Sequence, residues 1–190
     1  MSDMAVPYTQ HRFTVDEYHR LADAAVLPHD ARIELIDGEL VETLVAMKPP
    51  HAASVRALTR LLTVSVGQRA SVQFQLPVTL GDLSEPEPDI AIVRRPESAY
   101  ATRHPGPADI LTLIEVAESS RAFDLQRKVP LYAAFGVADV WIVDLVDRCV
   151  RVFREPQNRV YASVTTLAGD AVLGPLAFDD IRLRVAEVLF

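Results

Sequence analysis

Apolar and polar positions alternate or recur along this chain with periods that change from segment to segment. Arg32-Ile-Glu-Leu-Ile-Asp-Gly-Glu-Leu-Val-Glu42 alternates on both sides of Asp37-Gly38, a pair suited to a two-residue turn between paired strands. Ahead of it, Thr14-Val-Asp-Glu17 has the form of a capping box and predicts a short helix running to about Val26. From Ala52 to Val66 the spacing becomes helical: Val55, Leu58, Leu61, Leu62 and Val66 share a face, and Arg56 and Arg60 lie one turn apart on the polar side. Ser71 to Leu80 returns to period two through Val72, Phe74, Leu76, Val78 and Leu80, which predicts a strand with one face in the core. Pro77 within it points to an edge or a bend.

Two short runs, Ile90-Ala-Ile-Val93 and Ile110-Leu-Thr-Leu-Ile114, the second leading into Glu115-Val-Ala117, are mainly apolar, as strands buried on both faces are. Ser119 to Phe135 reads as a loop entering a helix that Gly136 closes. Pro130 requires that helix to begin near Lys128 or to be kinked there. Ala138 to Asp144 predicts a further strand, and Cys149–Phe153 with Val160–Thr165 a terminal hairpin. Strands, then a helix, then strands again predict an α/β fold, a mixed sheet flanked by helices, in one domain spanning residues 1–190.

Composition narrows the setting. With 190 residues, 49% of them hydrophobic, the chain can bury a core without staples. Its one cysteine, Cys149, makes no internal disulfide, and no Cys/His cluster has zinc-ligand spacing. The first ten residues lack the form of a secretion signal, and no segment is long and apolar enough to span a bilayer, so a cytoplasmic location is expected. The net charge of −7 counts against a broad nucleic-acid-binding surface. Arg94, Arg95, Arg103, Arg121, Arg127 and Lys128 could form a local basic rim, or be ordinary solvated charges.

The candidate chemistry centres on Asp89, which opens one apolar strand, and Glu115, which ends the apolar run of another 26 residues later. A carboxylate beside a buried strand must reach solvent, find a partner or hold a cation. Two such groups with a backbone carbonyl and water make an all-oxygen site suited to magnesium. The competing reading has Asp89 capping a loop and Glu115 paired with an arginine. Asp124, Lys128 and Tyr132 form a four-residue ladder on one helix face, which aims a lysine at the carboxylates or makes an ordinary surface pair. His51 is expected to cap the second helix, Trp141 and Tyr132 to be core residues, and Cys149 to be a buried strand residue.

Taken in order, the hairpin segment 32–42, Ser84-Glu-Pro-Glu-Pro-Asp-Ile-Ala-Ile-Val93, Ile114-Glu-Val-Ala-Glu-Ser-Ser120, Asp124 with Lys128 and Tyr132, and Gly136-Val-Ala-Asp-Val-Trp-Ile-Val-Asp144 resemble the Uma-type restriction endonuclease family, part of the PD-(D/E)XK nuclease superfamily. The resemblance implies a central mixed sheet and a magnesium-dependent phosphodiesterase, manganese being a substitute metal, with Asp89 and Glu115 as metal ligands. The superfamily's lysine normally lies two residues after the glutamate, where this chain has Ala117; the resemblance implies that Lys128 takes its place. It also implies that Glu34 is an additional acidic residue of the site, against the simpler reading of an outward-facing strand residue. DNA is the implied substrate and a homodimer the implied assembly, by analogy with enzymes that cut two strands. The alternatives are a non-cleaving nucleic-acid-binding or assembly protein on a nuclease fold, and a purely structural partner protein.

Overall fold

A computed structural model describes residues 9–28, 30–43 and 48–190. The capping box forms as its residues dictate: the Glu17 amide donates to Thr14 Oγ1 and Glu17 Oε2 accepts from the Thr14 amide. It starts α1 (Val15–Asp23), which ends a turn earlier than expected, at Ala24. The hairpin pairs β1 (Ile33–Ile36) with β2 (Glu39–Glu42), antiparallel. Asp37 and Gly38 both take positive φ, 50° and 80°, as the tight hairpin turn requires. A side chain at Gly38 would also press within 2.6 Å of Arg12 Cβ. The hairpin stands apart from the main sheet, and the Glu85 amide donates to the Leu35 carbonyl to tie it to the loop before Asp89.

Helix α2 (Pro49–Val66) buries Val55, Leu58, Leu62 and Val66. The segment that follows corrects the period-two reading. Strand β3 covers only Ser71–Phe74, because Gln75 turns left-handed at φ 49° and Pro77 cannot donate to a ladder. Beyond it the amides of Val78 and Leu80 donate to Pro86 and Ser84 rather than to a sheet neighbour. Val78 and Leu80 are buried, whereas Phe74 and Leu76 are 57% and 49% exposed. Alternation therefore persisted through a stretch that is only partly strand.

The main sheet has six strands in the order β3–β4–β5–β6–β7–β8: β4 (Ile90–Val93), β5 (Ile110–Ala117), β6 (Asp139–Asp144), β7 (Cys149–Gln157) and β8 (Val160–Ala168). All neighbours are antiparallel except β5 and β6. That parallel pair needs a crossover, and a helical segment supplies it: α3 (Arg121–Phe123), a π turn (Asp124–Lys128) and α4 (Val129–Ala134). This is the mixed sheet flanked by helices that the sequence predicts. Alternation along β5 sends Ile114 and Val116 to the α2 side, which the small sheet of β9 (Val172–Leu173) and β10 (Leu183–Arg184) helps to cover. Leu113 and Ala117 face α4 on the other side. Trp141 and Tyr132 are fully buried and Cys149 is buried on its strand, as expected. Among the described residues no helix is long and apolar enough to cross a membrane.

Candidate active site

The register of the sheet brings the two carboxylates together. Ile90 lies opposite Ile114, so one step further along these antiparallel strands Asp89 comes opposite Glu115, on the face covered by α4. Asp89 Oδ2 accepts the Val116 amide at 2.9 Å and lies 3.0 Å from His51 Nε2; the Gln75 side-chain amide reaches Oδ1 at 3.4 Å. Burial works to raise the Asp89 pKa. The hydrogen bond and charge of His51 and the Val116 amide outweigh it, and the carboxyl is held below its ordinary value.

Glu115 is buried. Its Oε1 accepts the Tyr132 hydroxyl at 2.5 Å and lies 3.2 Å from Lys128 Nζ. Burial pushes the Glu115 carboxyl well above its usual range; Lys128 opposes this, while Asp124, Asp89 and Glu34 add to it. Lys128 Nζ is also 2.9 Å from Glu34 Oε2 and donates to the Glu87 carbonyl at 3.4 Å. Burial alone would lower the lysine pKa. Its acidic neighbours Glu115, Glu34 and Asp124 reverse the sign and hold it protonated.

The π turn places this lysine. The Val129 amide donates to the Asp124 carbonyl five residues back, and Pro130, without an N–H, follows immediately. The helix thus neither begins at Lys128 nor breaks there, but widens by one residue. Lys128 and Tyr132 both reach Glu115 from it. Asp124, expected as the lysine's ladder partner, is buried and instead accepts the Ser120 hydroxyl at 2.6 Å. Burial raises its pKa to about 6 against the opposing pull of Lys128 and Ser120.

Glu34 points into the cleft, where its Oε2 accepts the Glu87 amide at 2.9 Å as well as meeting Lys128; the outward-facing reading is overturned. His51 is no cap. Lys48 is the N-cap residue, Pro49 and Pro50 open the helix, and the His51 ring turns to Asp89. Glu87 lines the same cleft, half-buried, its pKa raised by burial and by Glu34 against Arg32 and Lys128. His51 has no local spacing signal linking it to Asp89, whereas Glu87, two residues before Asp89 in an extended Pro-Glu-Pro-Asp segment, could have been placed on the same side by period two. Of the two readings of the arginines, the basic rim is not the one that forms. Arg95, Arg103 and Arg127 pair with Glu97, Asp109 and Glu39, Arg121 with Asp144 and Asp147, and Arg94 Nε donates to the Ala108 carbonyl. Of the six, only Lys128 lines the cleft.

The cleft has a free volume of about 80 Å³. Its walls carry Glu34, Glu87, Asp89, Glu115, Glu118 and Asp124, against Arg32, Lys48 and Lys128, and Lys48 is bound to Glu118. Among the described residues no three His, Cys, Asp or Glu side chains stand close enough to hold an ion between them. Two carboxylates, a backbone carbonyl and water are nonetheless a donor set that suits magnesium, which keeps several waters. The excess of buried negative charge favours a cation. Asp89 and Glu115 are oxygen donors of the kind such an ion takes.

The comparisons with known proteins agree with this architecture. A crystal structure of a "putative nuclease belonging to DUF820" from Anabaena variabilis ATCC 29413 superposes with a TM-score of 0.70 at 20% sequence identity, covering 93% of this chain and 97% of that one. At that identity the likeness is one of fold. No curated protein matches the sequence. The Uma2 family model, described as "Putative restriction endonuclease", matches residues 15–186, a span that includes Glu34, Asp89, Glu115 and Lys128, and the chain therefore belongs to the Uma2 family.

Proposed function

We propose that this protein is a magnesium-dependent endonuclease that hydrolyses DNA phosphodiester bonds, manganese serving in magnesium's place, in a single cytoplasmic domain spanning residues 1–190 that acts as a homodimer. The observation that carries the reading is the meeting of Lys128 with Glu115 at 3.2 Å and Glu34 at 2.9 Å, beside Asp89, in one cleft. Membership of a family described as restriction endonucleases supports it.

Asp89 and Glu115 would hold the metal, and Glu34 is the nearest further carboxylate. When bound, the ion supplies positive charge for the scissile phosphate and acidifies a coordinated water. The chain's own groups prepare the rest. Tyr132 fixes the orientation of Glu115, while His51 and the Val116 amide fix Asp89. Lys128 is held protonated, so it serves as a donor and not as a base: it orients the attacking water or offsets negative charge developing on the phosphoryl oxygens. Water adds to phosphorus and releases a proton to solvent, the bond to the leaving ester oxygen breaks, and the leaving oxygen takes a proton from solvent.

The test is cleavage of plasmid and single-stranded DNA in magnesium or manganese, with Asp89→Ala and Lys128→Ala alongside. Loss of one electrostatic donor lowers such rates by about 10²–10³-fold, and both variants are expected to fall at least that far. Wild-type protein that neither binds the metal nor cleaves above the Asp89→Ala background would favour the non-cleaving binding or assembly protein instead.

A further inference from the structure

Beside the acidic cleft lies a second, larger concavity. It runs along the outer face of α2 and is closed by the end of β3, with a volume of about 470 Å³ and walls that include Val55, Arg56, Arg60, Val64, Phe74 and Gln75. The two hollows adjoin at Asp89. His51, from the first turn of α2, holds Asp89 Oδ2, and Gln75 approaches Oδ1; Ala52 and Gln75 continue the wall on the far side.

Charge distinguishes this hollow from its surroundings. The arginines that the sequence offered as a rim are mostly neutralised by carboxylates. Arg56 and Arg60, one turn apart and exposed, have no ion-pair partner among the described residues. Glu187, whose charge Arg60 feels, is already bridged by Arg184 at 2.8 Å. Phe74 presents an aromatic ring that is 57% exposed opposite these cations, and Val64 is 77% exposed beside them. Free guanidinium groups over an apolar floor with an open aromatic ring are the elements by which proteins bind single strands: phosphates take the cations, and an unstacked base takes the ring. A duplex offers no free base face to Phe74.

We propose that the groove between α2 and β3 binds a single-stranded segment of nucleic acid adjoining the cleft, with Arg56 and Arg60 neutralising its phosphates and Phe74 stacking on a base. This rests on the nuclease reading and specifies its substrate as a strand that is single or locally unpaired at the site. It also explains how a chain of net charge −7 could hold a polyanion next to a carboxylate-rich cleft.

Fluorescence anisotropy of a labelled oligothymidine, and of a duplex of the same length, tests the groove in EDTA, where no cleavage interferes. The wild-type protein is expected to prefer the single strand. The Arg56→Ala/Arg60→Ala protein should bind it about tenfold more weakly or worse, with the salt slope reduced by about 1.4, as the loss of two single-strand phosphate contacts predicts. Arg56→Lys/Arg60→Lys should keep the slope. Phe74→Ala should weaken the single strand by about tenfold and leave the duplex unchanged. Circular dichroism melting confirms that each variant is folded. No oligothymidine binding by the wild type, or an unchanged affinity and slope in the double alanine variant, overturns the groove. So does a shift from dimer to monomer in light scattering with DNA affinity intact, which would assign the face to a second copy. Metal-dependent cleavage with no role for the arginines would sink the groove alone; groove binding without any cleavage would sink the nuclease reading alone.

Discussion

Asp139 and the carboxylates of the cleft are built on opposite terms. Asp139, at the start of β6, is fully buried and completely served. Oδ1 accepts from Trp141 Nε1 at 3.2 Å and Arg154 Nε at 2.8 Å, while Oδ2 accepts from Thr112 Oγ1 at 3.0 Å and the Leu176 amide at 2.9 Å. One negative charge meets one positive charge and two full sets of donors. In the cleft, Glu34, Glu115 and Asp124 share Lys128 beside Asp89, and Glu115 draws both its donors to a single oxygen. The first arrangement joins β5, β6, β7 and the chain near β9 into one framework. The second leaves charge uncompensated inside a cleft, a cost that folding alone would not retain. Satisfied charge marks structure here, and surplus charge marks chemistry.

Asp139→Ala should break this contrast most visibly. It leaves Arg154 without its buried partner and strands the donors of Trp141, Thr112 and Leu176, so a stability loss of about 3–5 kcal/mol is expected in urea titration. Glu115→Gln removes charge from a crowded site and should leave stability unchanged or raised, although activity is lost. Such gains on disarming a strained site are a common trade. If Glu115→Gln costs as much as Asp139→Ala, both clusters are framework and the functional reading of the cleft fails.

Magnesium sharpens the comparison from the other side. A ligand bound only by the native state adds about 2.7 kcal/mol at a hundred times its dissociation constant. Thermal melting of the wild type should therefore rise with magnesium and saturate, and melting of Asp89→Ala should not. An equal rise in both proteins would place the ion elsewhere.

Much of this contrast could be read from residues in a row, and the remainder depends on which distant residues meet. The capping box at Thr14, the Asp37-Gly38 turn and the two mainly apolar strands obey local rules, and each is where those rules put it. Asp89 and Glu115 stood out because carboxylates beside such strands are costly. Lys128 and Glu34 were drawn in by resemblance, and both reach the cleft. The failures have a shared physical source. Period-two alternation from Ser71 to Leu80 did not reveal the left-handed Gln75 that ends the strand, since alternation records which side chains are apolar and not the backbone that carries them. His51 approaches Asp89 from 38 residues away, and nothing near His51 announces its partner. Four-residue spacing did turn Asp124, Lys128 and Tyr132 toward the same carboxylates, but it gave no sign of the π turn that carries them or of the Ser120 hydroxyl that Asp124 takes.

Asp124 supplies the most delicate test, because the pH at which it ionises separates surplus charge from satisfied charge without any substrate. In the folded protein its carboxyl keeps its proton up to about pH 6, against an ordinary value of 3.8. Between those limits the native state binds more protons than the unfolded chain, so stability must fall as pH rises through the window. The decrease attributable to this group is on the order of 1–3 kcal/mol, complete above about pH 6. Urea titrations in EDTA across pH 4 to about 7 should show that decline in the wild type and a shallower one in Asp124→Asn, leaving the variant the more stable protein at neutral pH. Magnesium should flatten the wild-type decline by compensating the same charge. A decline of the same steepness in Asp124→Asn would mean that Asp124 is as well served by Ser120 as Asp139 is by its four donors, and the surplus would have to reside in Glu115 and Glu34 alone.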